Sequence, residues 1–165
     1  MVTARPAPDG TLAALLAVLR TRFAADAPAP GFRTFAPDLL QLAAAHRVLL
    51  PTADAWRALA RRGLVDLLPA AVEAEEERER LAALAATAWL GRLGAALDAA
   101  DVPWLTLKGP VLSAQLYGDP AMRTARDLDI LVPAECWAKA MTIADGLGWK
   151  PPLGWERLKR ITGAK

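Results

Sequence analysis

The residues best suited to chemistry lie in one stretch, LKGPVLSAQLYGDPAMRTARDLDILV, residues 107–132. It holds a Lys108-Gly109 corner, Arg123, and two carboxylates, Asp127 and Asp129, placed one residue apart at the head of an apolar run. In an extended strand, successive side chains point to opposite faces. Leu128, Ile130 and Val132 then face a core, while Asp127, Asp129 and Leu131 face away from it. The two carboxylates stand about 7 Å apart along such a strand. Unpaired, they repel each other. A divalent cation removes that cost, and Mg²⁺ favours hard oxygen ligands from one or two carboxylates with phosphate oxygens completing its octahedron. Two such ions can activate an attacking oxygen and stabilise a leaving one. An Asp-x-Asp also has a plainer reading, as the solvent face of an edge strand or as partners for Arg123 and Arg126.

The neighbours add to the pair. Lys108-Gly109 follows the short apolar run WLTLK and precedes PVLSAQLYG, which has helical spacing. Glycine lets a backbone come close to a ligand. A helix N-terminus offers free N–H groups to phosphate, and Lys108 adds positive charge. Pro110 removes one of those donors and fixes the turn. Arg123 has the fork that clamps a triphosphate. Each feature alone reads more readily as a turn or a surface side chain. The order strand, Lys-Gly, helix, Arg, Asp-x-Asp strand is more specific than any part of it.

The elements that must position these residues follow from hydrophobic period. TLAALLAVLRTRFAA predicts a helix with Thr11 as its N-cap and Leu12, Leu15, Leu16 and Leu19 on one face. APAPGF breaks the chain. PDLLQLAAAHRVLL predicts a second helix starting at Pro37-Asp38. TADAWRALARRG predicts a third, capped by Thr52 and ended by Gly63. A long fourth helix runs from Pro69 to about Ala100. Its charged EAEEERER segment reads as a solvated face, and its second half carries Leu81, Leu84, Ala85, Ala88, Trp89, Leu93 and Leu97 as an apolar stripe. After Asp101-Val102-Pro103 the order becomes strand, helix, loop, strand, helix, with AECWAKAMTIADGLG closed by Gly146 or Gly148. No strand can be read in the proline-broken remainder. The expected fold is α+β: a helical region over residues 1–100, a small α/β core with a short mixed sheet over residues 101–150, and a tail of uncertain structure over residues 151–165.

The chain has 165 residues, 54% of them hydrophobic and 23% charged. That composition supplies a real core and argues against disorder. Twenty basic residues stand against 18 acidic ones, for a formal net charge of +2, so the balance points to neither nucleic acid nor an anionic membrane. The single cysteine, Cys136, forms no internal disulfide and suits a reducing compartment. No secretory leader and no apolar run near the roughly 20 residues of a membrane span is read. The expectation is a soluble, cytoplasmic protein.

The stretch LKGPVLSAQLYGDPAMRTARDLDILVP resembles the bacterial "nucleotidyltransferase family protein" group within the DNA polymerase beta-type nucleotidyltransferase superfamily. Members read Lys-Gly, then Leu-Tyr-Gly-Asp-Pro, then Arg, then Asp-hydrophobic-Asp-hydrophobic-Leu-Val. The same logic occurs in abortive-infection toxin nucleotidyltransferases. The region around AAAHRVLLP is similar as well, and the resemblance covers about residues 39–148. It implies transfer of a nucleoside monophosphate from an NTP to a hydroxyl on a protein, an RNA or a small molecule, with Mg²⁺ as cofactor. Asp127 and Asp129 would be metal ligands and catalytic, Gly109 the turn glycine, and Lys108 and Arg123 the phosphate contacts. Three departures stand out. Pro110 replaces the superfamily's frequent Ser or Gly, no third carboxylate is assignable (Glu156 is the only acid after Asp145), and related chains continue further. These departures motivate a rival reading, a degenerate, catalytically weak relative that binds a partner or a second copy of itself.

His46, on a predicted helix beside Arg47, has no ligands at zinc spacing and reads as packing or surface. Cys136 reads as core. Trp56, Trp89, Trp104 and Trp137 read as core anchors. Trp149 and Trp155 flank the prolines and either pack or stack a base. Arg47, Arg57, Arg61 and Arg62 suggest a basic face, weak support by itself for an RNA substrate.

Overall fold

Four helices form where the apolar period predicts them, with different ends. The computed structural model describes residues 9–149 except Ala25 and Arg126, and within it α1 spans Asp9–Phe23, α2 Pro37–Ala45, α3 Leu49–Arg61 and α4 Ala70–Ala99. Helix α1 already includes Asp9, so Thr11 lies within the helix and does not cap it. Helix α2 opens on Pro37 as expected but does not run through HRVLL. Arg47 turns left-handed at φ 57°, its N–H donates to Ala44 O, and the Val48 N–H donates to Ala43 O. Those two backward bonds satisfy carbonyls that the helix end would orphan. Leu49 and Leu50 already belong to α3, and Pro51 sits in its first turn, where proline is tolerated. Thr52 is therefore buried inside α3, and its Oγ1 donates to Val48 O at 2.6 Å instead of capping the helix. Gly63, at φ 71°, closes α3 as the sequence predicts.

The buried positions of α4 are Val72, Glu76, Ala83, Leu90, Leu93, Gly94 and Leu97. Leu81 and Leu84, expected on the apolar stripe, are exposed. A charged residue occupies one place on the true stripe, which a count of apolar residues passes over. Glu76 is only 5% exposed, and Arg57 of α3 donates to its Oε1 at 2.7 Å. EAEEERER is thus not simply a solvated face. The hydrogen bond to Glu76 holds the Arg57 guanidinium above its ordinary value. Thr124 Oγ1 donates to Glu79 at 3.0 Å in the same unit.

The chain forms two compact units, divided between residues 83 and 84, with residues 121–124 grouped in the first. In the first unit Trp56 is fully buried, Phe35 meets it edge-on at 4.9 Å, and its Nε1 donates to Asp66 O at 2.8 Å. Leu15, Val18, Leu39 and Leu59 complete that core. In the second unit Leu93, Leu97, Val102 and Ala144 are packed by Trp104, Ile130, Val132 and Ile143.

Strands β1 (Leu105–Thr106) and β2 (Ile130–Leu131) pair antiparallel, with Leu105 opposite Leu131 and Thr106 opposite Ile130. Between them lies α5 (Pro110–Tyr117). After them come a single 3₁₀ turn (Ala134–Cys136) and α6 (Trp137–Gly146). Helices with a small separate sheet make the fold α+β, as the sequence implies. The sheet among the described residues is this one antiparallel pair rather than a mixed one. The proline-broken stretch from Lys150 on, in which the sequence shows no strand, lies outside them. Among the described residues no helix is long and apolar enough to cross a membrane.

Candidate functional site

The Lys108-Gly109 corner stands where β1 gives way to α5. Gly109 adopts φ 66°, ψ −137°, a conformation that side chains rarely allow. Space is tight as well, since a Cβ there would lie 3.1 Å from Leu128 Cδ2, which would have to give by a few tenths of an ångström. Leu128 is the residue between the two aspartates, so the corner packs directly against the Asp-x-Asp segment. Pro110 takes the first helical position and Gly109 O accepts the Ser113 N–H at 3.0 Å. Ser113 is buried, and its Oγ donates to Asp119 O at 2.8 Å. That bond ties the first turn of α5 to the Tyr117-Gly118-Asp119-Pro120 turn beyond its end, where Gly118 is left-handed at φ 75°.

Asp129 meets the corner twice. Its carbonyl accepts the Leu107 N–H at 3.2 Å, extending the β1–β2 pairing. Its Oδ2 lies 3.2 Å from Lys108 Nζ. Both side chains keep solvent access, at 64% for Lys108 and 41% for Asp129. Asp127 is exposed. The predicted alternation holds for Ile130 and Val132, which pack in the core, and for Leu131, which faces out. It fails at Asp127, which borders the same cavity as Leu128, Ile130 and Val132. Residues 127–129 precede the ladder, so no regular pairing holds them to a period of two.

Arg123 is half-buried in the segment 121–124, which packs with the helical unit, between buried Met122 and Thr124 with its bond to Glu79. The structure thus brings Lys108, Gly109, Asp127 and Asp129 together in one unit. No cluster of three or more His, Cys, Asp or Glu suited to a metal occurs among the described residues.

The sequence profile of a family described as uncharacterised nucleotidyltransferase matches residues 35–158. The chain belongs to that family. The match includes the Lys-Gly corner, Arg123 and both aspartates, and it begins ahead of α2, so α2, α3 and α4 lie within the matched region and α1 before it. No curated protein and no solved structure matches the chain. Membership in a nucleotidyltransferase family implies an NTP as substrate. The cavity beside Asp127 is the feature that the sequence reading missed. Trp89 and Trp137 read as core anchors and Trp149 as either packing or stacking a base, and a further hint lay in the alanines at 85, 86, 140 and 144 on two helices.

Proposed function

We propose that the domain transfers a nucleoside monophosphate from an NTP to a hydroxyl acceptor. Asp127 and Asp129 hold Mg²⁺, and Lys108 and Gly109 receive the triphosphate. The core that does this is the small one of residues 101–150. The observation that carries the reading is the ion pair between Lys108 Nζ and Asp129 Oδ2 at 3.2 Å, beside a glycine corner that opens a helix. A cation already stands against one of the two carboxylates, and the lysine that supplies it lies next to the start of α5, a helix end without a side-chain cap and of the kind phosphate binds. The donor set suits a hard cation. Two carboxylates with solvent access leave room for phosphate oxygens and water to complete an octahedron. When bound, Mg²⁺ would neutralise charge at the transferring phosphoryl group. Lys108, released from Asp129, would then reach the phosphates. Arg123 keeps the clamping role that the family resemblance implies, on sequence alone.

A second reading has its own support. Leu105 and Leu131, cross-strand neighbours, are 58% and 52% exposed on the outward face of the sheet. An apolar face of this kind suits a partner or a second copy, as in a degenerate family member.

Calorimetric titration of ATP, GTP, CTP and UTP, each with and without Mg²⁺, separates the two. The expected result is Mg²⁺-dependent binding of at least one nucleotide, weakened at least roughly tenfold, or about 1.4 kcal/mol, by Asp127→Asn with Asp129→Asn. Absence of binding by every nucleotide, with a dimer in light scattering, would replace the first reading by the second.

A further inference from the structure

The proposed transfer leaves its acceptor unnamed, and the second unit contains a cavity that bears on it. The cavity measures about 680 Å³ and lies between α4, the β2 segment and α6. That volume falls within the roughly 300–1,000 Å³ of sites for small organic ligands. It exists because α4 and α6 present Ala86 and Ala140 where larger side chains would close it. Trp89, Trp137 and Trp149 contribute aromatic surface to its walls. Among the described residues that line it, Asp127 is the charged one.

We propose that this cavity is the acceptor site, and that the acceptor is an uncharged small molecule with an aromatic or aliphatic body and a hydroxyl presented to Asp127. This rests on the nucleotidyltransferase reading above and extends it. A nucleotide base is the poorer occupant, because its ring nitrogens and exocyclic groups need several partners. Apart from the indoles, the described side chains of the wall offer one charged or hydrogen-bonding group, and unpaired buried polar atoms are costly. An RNA or peptide acceptor would bring further polar backbone into the same apolar walls. A compact apolar alcohol buries its body on the tryptophans and keeps its one polar atom at the rim. In the transfer, the acceptor oxygen forms a bond to the α-phosphorus of the NTP. The bond from that phosphorus to the pyrophosphate oxygen breaks, pyrophosphate leaves with the electron pair, and the hydroxyl proton passes to water.

The test uses the full chain and 4-phenyl-1-butanol as probe, followed by ligand-observed NMR and calorimetry. Saturable binding is expected, with affinity falling more than tenfold in Ala86→Leu. Ala86 is only half-buried on α4, and leucine is a good helix former there, so an unchanged thermal midpoint should show that the variant folds. Ala140→Leu, on the opposite wall, is the second variant, and the same loss is expected. A saturating Mg²⁺–nucleotide should change the probe's affinity at least threefold, because donor and acceptor sites that meet at Asp127 must be coupled. The sodium salt of 4-phenylbutyrate, an anion at the same rim, should bind more weakly than the alcohol. No saturable binding of the alcohol, or equal binding by both filled variants, overturns the site. Alcohol binding that ignores a bound nucleotide overturns its role as acceptor. Alcohol binding with no nucleotide binding at all removes the nucleotidyltransferase reading, and the acceptor assignment goes with it. Nucleotide binding without alcohol binding leaves that reading in place and overturns only the cavity.

Discussion

At the scale of single residues, charge is used in two ways. Lys108 and Asp129 meet in the open, where water screens them and a competing cation can enter. Arg57 and Glu76 meet where Glu76 has almost no solvent, and the pair is two-pronged. Glu76→Ala leaves a guanidinium without its acceptor and opens a gap in the first core. It should cost about 1–3 kcal/mol, the range for losing a hydrogen bond to a charged group. The loss is less than for a fully enclosed pair, because Arg57 is partly exposed. Urea unfolding with unchanged slope measures it, and an unchanged midpoint would mean the pair contributes nothing. The pH dependence has a definite sign. Arg57 is raised above its ordinary value, so its contribution is present below that value and is lost only as pH climbs through the higher folded one. Between about pH 7 and about pH 10, Arg57 should therefore add no slope to the stability difference between wild type and Glu76→Ala. The sequence made the Lys108, Gly109 and Asp pair legible because order along the chain is itself the signal. It hid Glu76, because an acid among acids looks solvated until the arginine opposite it is known.

At the scale of elements, α4 shows how far local preference reaches. Its span was readable from Pro69 at one end and Asp101-Val102-Pro103 at the other. Its buried face was not, because the leucines at 81 and 84 are exposed and a glutamate is buried. The break after α2 was hidden for a related reason: it needs Arg47 in a left-handed conformation, which residue type does not announce. Two glycines inside α4 make the contrast testable. A Cβ at Gly91 would meet nothing within 4 Å, whereas one at Gly94 would lie 2.5 Å from the indole of Trp104. That indole also donates to Asp98 Oδ1 at 2.8 Å, one turn further along the helix. Glycine in a helix interior costs up to about 1 kcal/mol relative to alanine. Gly91→Ala should therefore raise the unfolding free energy by up to that amount. Gly94→Ala should lower it despite the same gain in propensity, because the indole must leave its seat and its hydrogen bond. Equal shifts of the two variants, read by urea unfolding, would show that Trp104 does not pack on α4 as described.

At the scale of the whole molecule, the even charge balance predicted from composition acquires partners. Arg22 pairs with Asp54, Arg33 with Asp66, Arg57 with Glu76, Arg78 with Glu75 and Lys108 with Asp129. The basic face suggested by Arg47, Arg57, Arg61 and Arg62 thereby loses one member to an internal acid. A chain with net charge +2, in which five cations face acids of the same chain, has little net field to offer a phosphate backbone. Each single-strand phosphate that a protein neutralises adds roughly 0.7 to the slope of log affinity against log salt. The expected slope for a fluorescent single-stranded RNA of about 20 nucleotides is no steeper than about −1.5, equivalent to roughly two phosphates. A slope near −4 or beyond would restore a nucleic-acid face and turn the search for the acceptor from small alcohols to RNA. A shallow slope, with Mg²⁺-dependent nucleotide binding intact, would mean that the charge this protein needs for phosphate is local, held at the Lys108 corner, and that its acceptor is recognised by apolar surface.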